Sequence, residues 1–292
     1  ADTAWLLVAT AQVMLMVPAL ALFYGGMVHS KNVLSTFMHS FFALALVTVQ
    51  WVLVGYSLAF GRSHFGLWGG LELAFGQGVG AEAHGSVPHL LFMAYQGMFA
   101  AITPALISGA FAERMKFSTF CVFTVSWSTL VYDPLAHWVW ASDGWLLRLG
   151  AQDFAGGTVV HLSSGLAALV VAGRLGKRLG YPQSRHQPHD VTMACLGGGL
   201  LWFGWFGFNG GAAPAAAAAW VLTTASAASP SAASAAPPLK PNQPNHSSPP
   251  PRQAMVTSWG WWRPGASARS PCWGWSPAWW PAWSASPRRR AL

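Results

Sequence analysis

Charge is what this 292-residue chain has least of: Asp, Glu, Lys and Arg make up 8% of it, against roughly 25% in an ordinary soluble domain. So few charges cannot cover a water-facing surface, and with 53% hydrophobic residues the chain belongs in a bilayer. Acid is missing altogether after Asp190. Cysteine is scarce: Cys121, Cys195 and Cys272 have no metal-ligand spacing, and an odd count builds no disulfide framework. No HExxH pair, no Gly-x-Ser-x-Gly elbow and no phosphate loop occurs, and no two carboxylates share a helical face. Gly197-Gly198-Gly199 lacks the strand context of a phosphate-binding turn. These absences argue against an enzyme, and no cofactor or metal is expected. The chain opens Ala-Asp-Thr without a charged leader region, so no intact secretory signal is visible.

What the chain does have is long apolar runs. Six of spanning length, about 20 residues, cover 4–27, 36–60, 89–111, 117–139, 155–173 and 192–211. They predict an all-α, polytopic membrane helix bundle. Lys31 follows the first run, Arg114 and Lys116 the third, and Arg174, Lys177, Arg178 and Arg185 the fifth; the other connections hold only Arg62 and Arg148. The positive-inside rule then puts the N-terminus outside. Ala19, Ala21, Gly25 and Gly26 in the first run, and Gly197, Gly198, Gly199, Gly204 and Gly207 in the sixth, suit close helix packing in lipid. Pro18, Pro104 and Pro134 lie within runs.

The residues that could carry chemistry are sparse. Asp153 stands at the start of the fifth run and His161 about 12 Å further along, at about 1.5 Å per helical residue. An ionisable group at that depth is a functional candidate, although an acid in the Asp153 position can equally serve as a helix cap. Phe99, Trp140 and Phe208 lie on other runs. Singly, such rings are ordinary core or interface residues; together with His161 they suit a small cation that rests on aromatic faces, sheds water and then a proton. His29, His39, His64, His84, His89, His137, His186 and His189 fall near run ends or in connections and are expected to be interfacial or solvated. Cys121 and Cys195 are expected on helices as small apolar residues.

Residues 1–211 resemble the ammonium transporters, the Amt/Mep/Rh ammonia channels, almost without interruption. The likeness rests on Phe23-Tyr-Gly-Gly26 with Lys31-Asn-Val-Leu-Ser35, Gly55-Tyr-Ser-Leu-Ala-Phe-Gly61, Gln96-Gly-Met-Phe-Ala100, Asp153-Phe-Ala-Gly-Gly-Thr-Val-Val-His161 and Gly204-Trp-Phe-Gly-Phe-Asn-Gly210. The resemblance implies the first five-helix repeat and sixth helix of a fold of two inverted repeats, assembled as a homotrimer in the cell (inner) membrane. It implies recruitment of ammonium at Phe99 and Trp140, organised by Asp153, with Tyr95 and Tyr132 as aromatic or hydroxyl neighbours. Phe99 and Phe208 match the stacked gate, and His161 the first of two pore histidines. Ammonium or ammonia is the implied substrate, and a PII-type regulator the implied cytoplasmic partner. A sensor of the same fold, or an intramembrane metal-dependent enzyme using Asp153 and His161, are the alternative readings. The serine that the family places four residues after the second gate phenylalanine is replaced by Ala212, and nothing after Gly211 resembles the second inverted repeat.

Residues 212–292 are a different polymer, expected to be a low-complexity, disordered tail. They hold 14 of the 20 prolines, 9 of the 18 tryptophans and seven Lys/Arg without an acid, so the chain's basic balance is no sign of nucleic-acid binding. Ala212-Ala-Pro-Ala215 requires GCN GCN CCN GCN, and regrouping each third base with the next two permits Ser-Ala-Gly, restoring the missing serine. Trp259-Gly-Trp-Trp-Arg263 regroups to Gly, then Leu, Val or Met, then Val-Ala. The tail therefore reads as a shifted frame near codon 211, with docking of a basic, Trp-rich tail on anionic lipid as the rival reading.

Overall fold

The computed structural model describes residues 1–213 except 179, 182 and 184–186. Arg185, His186 and the tail beyond residue 213, with Cys272, lie outside the described residues. The predicted runs all form helices. They are α1 (Asp2–Met27), α2 (Val33–Gln50) continuing into α3 (Tyr56–Phe60), α4 (His89–Phe111), α5 (Phe117–Trp127) continuing into α6 (Asp133–Trp140), α8 (Ser163–Leu175) and α9 (Val191–Gly210). A short α7 (Trp145–Arg148) precedes the fifth run. The connection between the second and third runs adds two small antiparallel hairpins, β1 (Ser63–His64) with β2 (Trp68–Gly69) and β3 (Ala83–His84) with β4 (Val87–Pro88).

Three runs contain a π-helical turn: Trp51–Gly55 between α2 and α3, Ser128–Tyr132 between α5 and α6, and Gly157–Leu162 before α8. The second explains how the fourth run tolerates Pro134. Proline has no N–H to give to the carbonyl one turn back, and the extra residue of a π turn lets the helix continue past the gap. Pro18 and Pro104 sit within unbroken α-helices.

The helix pair α1 and α9 packs backbone to backbone. A Cβ on Gly197 would lie 2.3 Å from Phe23 N, on Gly204 2.2 Å from Met16 Cγ, and on Gly207 2.6 Å from Ala9 O. Only a residue without a side chain fits at these crossings, as expected where lipid gives helices no hydrophobic drive to associate. Gly199, by contrast, meets nothing within 4 Å. Asp190 caps α9 by accepting from Met193 N at 2.9 Å. Large apolar side chains face outward, with Leu130 74% and Leu169 67% exposed, as a bilayer requires.

Connections after odd-numbered runs meet at one end. Glu113 Oε1 accepts from His29 N (2.9 Å) and Asn32 Nδ2 (2.8 Å), and Oε2 accepts from Arg178 Nη1 (2.9 Å). Connections after even-numbered runs meet at the other, where Ser63 N donates to Asp143 Oδ2 (2.8 Å) and Trp138 Nε1 to Leu67 O (2.6 Å). Two histidines expected at interfaces are instead buried. His39, 2% exposed, lies on the inner face of α2 against Phe120, 4.6 Å between ring centres. His137, fully buried, has Nδ1 3.0 Å from Ala59 O and Nε2 2.8 Å from Ser63 Oγ. The 3–4 spacing of Thr36, His39, Ser40, Ala43, Val47 and Gln50 puts His39 on that face.

Candidate functional site

The signature Asp153-to-His161 folds differently from a plain helix. Asp153 lies before the helix, and residues 153–156 curl so that its carboxylate turns back onto the first helical amides. Oδ1 accepts from Gly156 N and Gly157 N, both at 2.7 Å; Oδ2 accepts from Thr158 N at 2.7 Å and Val159 N at 3.0 Å. The expected helical rise from 153 to 161 does not apply, because the chain reaches His161 through this curl and the π turn. Gly156 makes the curl possible at φ +87°, where a Cβ would also meet Val160 Cγ2 at 2.7 Å. Burial pushes the Asp153 carboxyl up from the ordinary carboxylate range, and the four N–H donors pull against that shift. Of the two sequence readings, the cap is realised in full. It also reaches further, since the Asp153 carbonyl accepts from Trp140 Nε1 at 3.1 Å.

From Trp140 the rings continue inward as a connected column. Trp140 meets Phe99 edge-on at 6.0 Å and 83°; Phe99 stacks on Phe208 at 4.1 Å and 24°; Phe208 lies 5.6 Å from the His161 ring. Phe99 and Phe208 are buried, 2% and 1% exposed. The His161 Nε2 is buried with no hydrogen-bond partner. The structure thus brings Trp140, Asp153, Phe99, Phe208 and His161, from four separate runs, into one continuous line.

The two tyrosines divide. Tyr95 packs edge-on to Phe99 at 4.9 Å, and its hydroxyl donates to Phe208 O at 2.9 Å and Gly207 O at 3.1 Å. It therefore ties both phenylalanines together. Tyr132 instead pairs its ring with Trp51 at 6.2 Å, and its buried hydroxyl has no hydrogen-bond partner. Ala212, partly buried, packs on the core beside this end of α9. Trp205 escaped the sequence reading: its indole stacks on His161 at 5.2 Å and 9°. Its place three residues before Phe208 puts it on the same helical face, which is the signal that was available.

Membrane-length helices enclosing an aromatic column that runs from a helix-capping aspartate to a buried imidazole define a multi-pass membrane protein with a specialised interior line. The model of the Ammonium Transporter Family matches residues 4–237, and the chain belongs to that family. An ammonium transporter of Bacillus subtilis (strain 168) is 54% identical over 206 residues, covering 70% of this chain and 50% of the relative. Ammonium transporter Amt1 of Archaeoglobus fulgidus is 49% identical over 203 residues. The crystal structure of Saccharomyces cerevisiae Mep2 is similar with a TM-score of 0.70 at 41% identity, covering 77% of this chain and 51% of that one. A solved structure of a sensor Amt protein gives 0.67 at 33% identity, covering 72% and 54%. The chain thus spans about half the length of the relatives it matches, 50% of the Bacillus protein.

Proposed function

We propose that residues 1–211 form one half of a passage for ammonium nitrogen, and that the unbroken ring column from Trp140 to His161 is its wall. A cation resting on Trp140 and Phe99 gains about 0.5–2 kcal/mol, enough to recruit it but not to carry its charge through hydrocarbon. Asp153 acts as a positioning residue. Its oxygens are consumed by backbone amides, so it holds Trp140 in place and leaves the cation to the rings. The stacked Phe99–Phe208 pair is the gate, fixed by Tyr95, and it opens onto His161. The free Nε2 of that neutral imidazole gives a passing ammonia molecule a polar contact beyond the gate. Tyr132 borders the recruitment site from behind.

The half-length of the match carries a second part of the proposal. The other wall, including a partner for His161, comes from sequence equivalent to the second half of the relatives, and the frame shift near codon 211 replaces it here. Genomic sequencing that finds the second repeat intact in the alternative frame supports this; its absence there overturns it. Homotrimer assembly and a PII-type partner at the Glu113 end belong to the same proposal. The functional test is methylammonium uptake into proteoliposomes. The 292-residue chain is expected to give none, and residues 1–211 fused to the second half of the Bacillus relative are expected to restore it. Uptake by the unfused chain would overturn the division of the passage. The similarity to a sensor Amt protein supports a second reading. A fusion that binds methylammonium, read by its thermal stabilisation, but does not move it would favour sensing.

A further inference from the structure

Away from the ring column, the end of α2 and the start of α6 carry a buried polar pair. Gln50 Nε2 donates to Asp133 Oδ2 at 2.6 Å and to Thr129 Oγ1 at 3.1 Å. Asp133 is fully buried and Gln50 is 6% exposed. The remaining oxygen of each group, Asp133 Oδ1 and Gln50 Oε1, is buried with no hydrogen-bond partner. Two bare acceptors on groups already in contact are costly inside a membrane, where water cannot relieve them. No cation answers the carboxyl: Asp133 is in no ion pair with the described residues. His137, one turn further along α6, spends both ring nitrogens on Ala59 and Ser63. Tyr132, the preceding residue, has an unpaired hydroxyl lying in the field of both Asp133 and Asp153.

A single hydrogen removes both defects. A carboxylic acid and a primary amide are complementary, the acid O–H donating to the amide oxygen while the amide N–H donates to the acid's other oxygen. Turning the amide over exchanges the two bonds and still needs the same hydrogen. We propose that Gln50 and Asp133 form a proton-binding site within the membrane domain, the proton sitting on Asp133 Oδ1 and donated to Gln50 Oε1. The binding step balances simply: a hydronium ion gives its proton to the carboxylate, an O–H bond forms, and water leaves. The π turn at Ser128–Tyr132 serves this site by setting the angle at which Asp133 meets α2. While the proton is held, the pair is neutral; losing it puts a negative charge on the residue next to Tyr132.

The test is infrared spectroscopy on the full chain in phosphatidylcholine vesicles at pH 7, with aspartate carrying ¹³C in its side-chain carboxyl. The expected result is a protonated-carboxyl C=O band that moves down with the label, persists in D153N and disappears in D133N. In Q50L it should move to higher frequency, because that C=O loses its N–H donor. Should D133N fail to fold, the Q50L displacement decides. A spectrum without a label-sensitive acid band at pH 7, or one whose band survives D133N, overturns the proposal. So does a band abolished when choline chloride is replaced by ammonium or potassium chloride, which would make the pair a cation site.

Discussion

Asp153 shows how much one side chain can hold. Four amides converge on its carboxylate, and its own carbonyl anchors Trp140. D153A strands those amides, and at about 1–3 kcal/mol for a buried unsatisfied donor the loss is on the order of 3 kcal/mol, allowing for water entering the space. D153N, which keeps one acceptor oxygen, should fall between, as thermal melts of the purified proteins would show. His84 offers a pH dependence outside the spanning segments. Its ring stacks on His89 at 4.7 Å and lies tilted against Phe92 at 4.5 Å, and burial first, then the neighbouring His89 charge, holds its pKa below the ordinary value. The folded state therefore binds this proton less readily than the unfolded chain. The His84 packing contributes fully above the ordinary histidine value of about 6.5, weakens as pH falls through it, and levels off below the folded value. The protection factors of the Ala83–Pro88 hairpin amides, which take out the intrinsic pH dependence of exchange, should fall on acidification from neutral pH. In H84F that fall should shrink.

At the scale of elements, two devices organise the bundle: glycine crossings and π turns. G204L must push a side chain into Met16 and the Gln12 carbonyl, which lie 2.2 and 2.8 Å from its Cβ position, so α1 and α9 should part and the yield of monodisperse protein should collapse. G199L, with nothing within 4 Å, should change stability by less than about 0.5 kcal/mol. Deleting Val131 should return the Ser128–Tyr132 turn to α geometry. That rotates the helix by about 100° and breaks the Gln50–Asp133 bond; the loss would register as altered packing of Trp51 in a structure of the variant. The glycine crossings were legible in the sequence, since small residues recur along the first and sixth runs. The π turns were not. A one-residue change in hydrogen-bond register leaves composition and periodicity untouched, so the path from Asp153 to His161 was read as a regular helical rise. Asp153 itself stayed ambiguous because its partners are backbone amides, which no residue pattern announces. Trp205 lies beside His161 at a spacing from Phe208 that the sequence displays, whereas the packing of Tyr132 on Trp51 joins two separate runs and no residue pattern announces it.

For the whole molecule, the charge-poor body, the six runs and the pairing of connections at two ends make one membrane bundle, and the family match covers it. The chain's aromatic column is complete from Trp140 to His161, while the match spans 50% of the Bacillus protein. Both facts support the central proposal, that the column is the ammonium path and that a second half supplies its opposite wall. The direct measurement is saturable methylammonium uptake by residues 1–211 fused to the second half of the Bacillus relative, compared with the same fusion carrying W140L, F208A or H161A. The expected result is uptake in the parent fusion, weakened apparent affinity in W140L, and a changed maximal rate or selectivity against potassium in F208A and H161A. Uptake that is indifferent to all three substitutions, in fusions shown to fold, would contradict the claim.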